Sequence, residues 1–426
     1  MQINLPYGHS TIPCHIPDEH LQAVLTTNLQ EYAPQYDELT LIKNAMAHPI
    51  GAKPLHELAK GKQNVVLIAS DHTRPVPSRL ITPLMLAEIR RGNPSANITI
   101  VIATGLHRCT TKAELVTKFG EDIVSHEHIV IHDCDNQANL VSLGTLPSGG
   151  HLTINRLVAE ADLLVAEGFI EPHFFAGFSG GRKSVLPGVA GRESVMYNHN
   201  AGFIASPHCR TGIVAHNPIH RDMLFAAKKA KLAFIVNVVI NSHHNVVACF
   251  AGDVAKAHEK GRAFLLGLCR VKAKPSDIVV TTNGGYPLDQ NIYQAVKGMT
   301  TAEAIVNAGG VIIMVAASHD GHGGEGFYAT FRDEKNVDTL MQSFLARRPS
   351  ETILDQWQSQ IFARVLQKAK VVYISDAPDD MVRDLHMIPA HSIEEGLKIA
   401  TDIVKKPNYT VTVIPDGVSI ITSVKE

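Results

Sequence analysis

The chain has 426 residues, 45% of them hydrophobic and 19% charged, with a formal net charge of -2. That balance excludes a disordered chain and leaves no basic footprint for nucleic acid or an acidic membrane surface. The length predicts two domains, or three, each able to bury its own core.

The opening, MQINLPYGHSTIPCHIP, predicts a small hairpin packed on the first domain. NVVLIAS (64–70) and ITIVIATG (98–105) read as buried strands, each followed by a helical pattern, RLITPLMLAEIRR (79–91) and TKAELVTKFG (111–120). HIVIHD (128–133) and ADLLVAEG (161–168) continue the alternation, which implies a mainly parallel sheet covered by helices. LAFIVNVVI and VVACFAG, joined by NSHHN, predict a β-hairpin. VKAKPSD (271–277) interrupts the rhythm and marks the expected boundary between an N-terminal α/β domain over 1–270 and a C-terminal α/β domain over 275–426. Beyond it IVVTT (278–282), VIIMVA (311–316), VVYIS (371–375) and YTVTVIPDG (409–417) read as strands. The expected class is therefore α/β: two open domains with mainly parallel sheets and a cleft between them.

The six cysteines are scattered without a C-x-x-C pair, no secretory leader is visible, and no apolar run approaches the roughly 20 residues of a membrane span. A reducing cytoplasm is the expected setting.

Ligands in open parallel sheets bind beyond the carboxyl ends of the strands. Three strands here run straight into unusual polar residues. NVVLIAS leads to Asp71, His72 and Arg74; ITIVIATG leads to His107 and Arg108; ADLLVAEG leads to Glu171, His173 and Lys183. Each has a plain alternative. Asp71 and Arg74 can pair across a turn, and a loop histidine is more often satisfied than catalytic. GFSGGRKS (177–184) approximates G-x-x-x-x-G-K-[ST], but Arg182 stands where the second glycine should be, against a true phosphate loop. A lysine beside phenylalanines can instead become nucleophilic by desolvation. In HNPIH (216–220), Pro218 argues for a turn leading into a helix rather than an i, i+4 ligand pair.

In YPLDQNIYQAVKG, Pro287 and Asp289 suit the amino end of a helix. Leu288, Ile292, Val296 and Met299 form its apolar stripe. Gln290, Tyr293, Gln294 and Lys297 form the opposite face, for which plain solvation is the simpler reading. DGHGGEG (320–326) can cover a site or merely turn.

Taken together and in order, SDHTRPVPS, ATGLHR, EGFIEPHFFAGFSGGRKSVLPG, NHN and NGGYPLDQNIYQAVKG resemble the nickel-dependent lactate racemase family over nearly the whole chain, closest to its lactate-racemising members. The resemblance implies a nickel-pincer nucleotide, a pyridinium-3-thioamide-5-thiocarboxylic acid mononucleotide holding nickel. Its match places the covalent tether at Lys183, the protein's nickel ligand at His199, and the acid/base pair at His107 and His173. Arg74 and Lys297 match the cations that hold the substrate, Tyr293 and Gln294 line the pocket, and Asp71 orients the site. It further implies lactate as the small-molecule substrate and cofactor-synthesis proteins as maturation partners. Other readings remain at this point: another 2-hydroxy acid as substrate, a nucleotide-binding hydrolase or kinase built on the degenerate phosphate loop, or a non-catalytic binder of small anions.

Overall fold

The structure, a computed structural model, describes residues 1–424. Its chain forms two compact units. The first comprises residues 29–199 and 207–267; the second comprises 1–28, 200–206 and 268–424.

The first unit is built on a six-stranded sheet ordered Val246–Gly252, Leu232–Ile240, Leu163–Phe169, Asn64–Ser70, Asn97–Ala103, His128–Ile131. All neighbours are parallel except the first pair, the expected hairpin. Val65, Leu67 and Ala69 lie in the core beneath the helix Ser78–Gly92, which contributes Ile81, Met85, Leu86 and Ile89. Val66 and Ile68, the alternate residues, are buried too. Burial on both faces explains why these strands read as unbroken apolar runs. Thr111 and Glu114 form a capping box that starts the helix Lys112–Phe119 where the sequence predicts it. A second hairpin, Leu140–Thr145 with His151–Asn155, was not foreseen.

The second unit carries its own six-stranded sheet, all parallel, ordered Ile388–Ala390, Lys370–Ile374, Val306–Val315, Ser276–Thr282, Val411–Ile414, Leu21–Val24. The hairpin Gln2–Tyr7 and Ser10–His15 forms as expected but belongs here, not to the first unit. The reason is direct. Leu21–Val24, just after it, pairs with Val411–Ile414, while Leu5, Cys14 and Ile16 pack with Ile278, Val280, Val311 and Val413.

The helix expected from Pro287 begins later, at Ile292, with Asn291 as its cap. Asp289 is instead fully buried and accepts from the N–H groups of Gly8 (2.7 Å) and Ala317 (3.2 Å). Leu288 falls outside the helix and is exposed, whereas Ile292, Val296 and Met299 are buried as the stripe requires. No helix among the described residues is long and apolar enough to cross a membrane.

Candidate active site

Leu163–Phe169, Asn64–Ser70 and Asn97–Ala103 are adjacent in the first unit's sheet, so their carboxyl ends deliver three loops side by side. The loop after Asn64–Ser70 carries Asp71, which is 1% exposed. Its Oδ1 accepts from the Thr73 N–H (3.1 Å) and Oγ1 (2.7 Å), and its Oδ2 accepts from His107 Nδ1 at 2.6 Å. Burial alone would raise its pKa. The His107 bond and the Arg74 charge outweigh that and hold it at about 2. Asp71 and Arg74 pair across the turn through the backbone, Arg74 N–H to the Asp71 carbonyl at 3.3 Å, but not as a side-chain ion pair; the Arg74 guanidinium donates to Thr73 Oγ1 at 3.1 Å and is otherwise exposed.

A carboxylate can only accept, so His107 carries a proton on Nδ1, and in the neutral ring the lone pair is on Nε2. His107 sits on a turn made by Gly105 at φ 54° and is 42% exposed, open to a reactant.

The third loop begins with Pro172–His173, paired with Gly177–Phe178. His173 Nδ1 accepts the Ala176 N–H at 3.3 Å, so Nε2 is the nitrogen turned toward the site. That nitrogen lies 3.4 Å from Lys183 Nζ. The ring of Phe175 meets His173 edge-on at 4.5 Å and His199 at 5.1 Å, and Lys183 Nζ lies 5.7 Å from its centre. Lys183, His173 and His199 thus gather around one phenylalanine.

His199 ends the helix Arg192–Asn198 and is 4% exposed. Its Nδ1 donates to the Val195 carbonyl at 3.0 Å, so Nε2 carries the lone pair. Burial, reinforced by the Lys183 charge, pushes its pKa down to about 3 and keeps the ring neutral.

Lys183 rides on a single 3-10 turn, Gly181–Ser184. Arg182, 1% exposed, anchors that turn. Its guanidinium donates to the carbonyls of Ala176 (2.8 Å), Gly180 (3.2 Å) and Ser179 (3.3 Å), and its Nε to His220 Nδ1 (3.0 Å). The Gly181 N–H goes to Asn237 Oδ1 at 2.7 Å and the Lys183 N–H to the Gly180 carbonyl at 3.2 Å. Two of the amides a phosphate loop would offer are engaged, and no long helix follows directly, which weighs against the nucleotide-hydrolase reading. Pro218 opens the helix Pro218–Lys229, as the turn-into-helix reading of HNPIH requires, and His220 on its first turn serves Arg182.

The second unit brings Tyr293, Gln294 and Lys297 onto the helix Ile292–Ile305, each half-buried rather than fully solvated. Tyr293 donates its hydroxyl to Asp355 at 2.7 Å, a partner 62 positions away with no local signal in the sequence. The glycine-rich loop acts as a cap: the Gly321 and His322 carbonyls accept the Ile292 and Tyr293 N–H groups at 3.0 and 3.2 Å.

The sequence model of the lactate racemase N-terminal domain matches residues 7–212, and that of the lactate racemase C-terminal domain matches 271–422. The chain is 54% identical to a lactate racemase of Thermoanaerobacterium thermosaccharolyticum, over 99% of both chains. It is 49% identical to one of Lactiplantibacillus plantarum, over 98% of this chain and 99% of that one. The solved lactate racemase apoprotein from T. thermosaccharolyticum matches with a TM-score of 0.96 over 100% of both chains, at 54% identity. A Thermotoga maritima protein, 19% identical with a TM-score of 0.65 over 92% of this chain and 100% of that one, shares the fold. The chain belongs to the lactate racemase family of isomerases.

Proposed function

We propose that this protein interconverts D- and L-lactate, moving the C2 hydrogen as a hydride and using a nickel-pincer nucleotide tethered to Lys183. The observation that carries the reading is the gathering of Lys183, His173 and His199 around Phe175.

The residues fit such a group. His199 is a buried, neutral imidazole whose other nitrogen is tied to a backbone carbonyl, the arrangement that suits a metal ligand. Lys183 offers an amine on a turn where Gly180 and Gly181 adopt φ of 75° and 53°, a backbone that L side chains rarely take. When bound, the group would supply an electrophilic ring carbon beside nickel, able to take and return a hydride.

Lactate already bears a carboxylate next to C2, so removing a proton from that carbon would place a second negative charge beside the first. Loss of hydride instead gives neutral-carbonyl pyruvate. The chain must then handle the hydroxyl proton. His107 takes it on Nε2, and Asp71 stabilises the imidazolium that forms at Nδ1. His173 takes or returns, at Nε2, the hydroxyl proton of the opposite enantiomer. Arg74 grips the carboxylate bidentately. Substrate-binding roles are proposed likewise for Lys297, Tyr293 and Gln294. All six cysteines are free thiols, in keeping with a reducing cytoplasm.

The test is racemisation of D-lactate by protein matured with cofactor-synthesis partners, assayed beside malate and longer 2-hydroxy acids. Asp71→Asn should lower kcat about 10²- to 10⁴-fold, because an amide facing Nδ1 favours the wrong tautomer. An unchanged kcat would remove the Asp71–His107 pair from the mechanism.

A further inference from the structure

The proposed chemistry leaves two titratable groups beside the 71–77 loop unused. Glu167, on the strand Leu163–Phe169, is 1% exposed. Its carboxylate accepts from Ser78 Oγ at 2.6 Å and Thr82 Oγ1 at 3.1 Å, on the first turns of the helix Ser78–Gly92. Ser78 is the first residue after the loop, so the Glu167 side chain ties the loop's far end to the strand Leu163–Phe169, which is paired with Asn64–Ser70, the strand that enters the loop. In the middle, Lys118 Nζ, from the helix Lys112–Phe119, donates to the Arg74 carbonyl at 3.2 Å.

Burial pushes the Glu167 carboxyl up and the Lys118 ammonium down, and each is partly offset by the other's charge. Other charges acting on Lys118 are those of Asp71 and Arg74 themselves. Glu167 is buried and Lys118 half-buried, and such desolvated charges add little stability over apolar residues of similar volume. Their use is better sought in placement than in stability.

We propose that Lys118 and Glu167 are positioning residues for substrate binding: together they clamp the 71–77 loop so that the Arg74 guanidinium and the Asp71 carboxylate are presented in one geometry. This rests on the substrate-binding role of Arg74 proposed above.

The experiment compares Lys118→Met, Lys118→Arg, Glu167→Gln and Arg74→Ala in the loaded enzyme. Lys118→Met should raise KM for D-lactate about tenfold, the worth of one charge-assisted hydrogen bond. The Lys183 adduct, read by intact mass, and the thermal midpoint should stay at wild-type values. Lys118→Arg should recover most of the loss, and Glu167→Gln should raise KM in the same direction. If Arg74→Ala raises KM strongly while Lys118→Met stays within about twofold of wild type, the clamp is overturned and the role of Arg74 stands. If Arg74→Ala leaves KM unchanged, the role of Arg74 fails and the clamp fails with it. A KM rise in Lys118→Met matched by lost adduct or lowered midpoint, or one that Lys118→Arg does not rescue, means a structural effect and rejects the positioning role.

Discussion

Lys183→Ala protein, matured beside the cofactor-synthesis proteins, should carry no adduct and racemise lactate at least about 10⁴-fold more slowly than wild type. The amine stands 3.4 Å from His173 Nε2 and 5.7 Å from the Phe175 ring centre. No neighbouring lysine on the turn Gly181–Ser184 can replace it. The fold should survive, since the anchoring of this turn is done by Arg182 rather than by Lys183. Lys183→Arg separates charge from nucleophilicity. A guanidinium keeps the positive charge but does not become a neutral amine in a protein. It should fail as completely as alanine, and an active Arg variant would mean that charge alone is required. Intact mass and an enantiomer-resolved lactate assay read both outcomes.

Arg182→Leu should destabilise the protein by about 3–5 kcal/mol. The guanidinium is buried, and among the hydrogen bonds it donates are three to backbone carbonyls. Burial and the nearby Arg262 charge bring its pKa down to about 9, so it is still a cation at neutral pH. Leucine would relieve that desolvation but strand a buried carbonyl. The Ser179 carbonyl keeps a second donor in His258 Nε2 at 2.8 Å and the Gly180 carbonyl keeps the Lys183 N–H at 3.2 Å; the Ala176 carbonyl and His220 Nδ1 bear the loss. Arg182→Lys should recover only part, since one ammonium cannot span the whole set. Urea unfolding of the apoprotein checks the stability, and a midpoint shift of less than about 1 kcal/mol equivalent would show that the turn holds itself.

Much of this was readable in advance, for identifiable reasons. Strands buried on both faces announce themselves as apolar runs, so Asn64–Ser70, Asn97–Ala103 and Leu163–Phe169 were placed, and with them the loops bearing Asp71, His107 and His173. That their ends share one edge followed from the parallel rhythm; their order in the sheet, Leu163–Phe169, Asn64–Ser70, Asn97–Ala103, did not. What escaped was non-local. The opening hairpin's home depends on pairing between residues near 21 and near 411. Asp289 looked like a helix-end residue because its buried partners, Gly8 and Ala317, lie far off in the chain. Arg182 stood out only as a flaw in a phosphate-loop pattern. Its meaning needs the three carbonyls and His220, none of which a motif encodes. Asp355 and Lys118 were missed for the same reason.

The most direct measurement follows lactate carrying deuterium at C2 while the loaded enzyme inverts it in ordinary water. The product enantiomer, separated and weighed by mass spectrometry, should retain its deuterium, because the hydrogen leaves and returns with its electron pair and never meets solvent. Replacement of that deuterium by solvent protium at each inversion would contradict the account, since it would mean that C2 had been deprotonated.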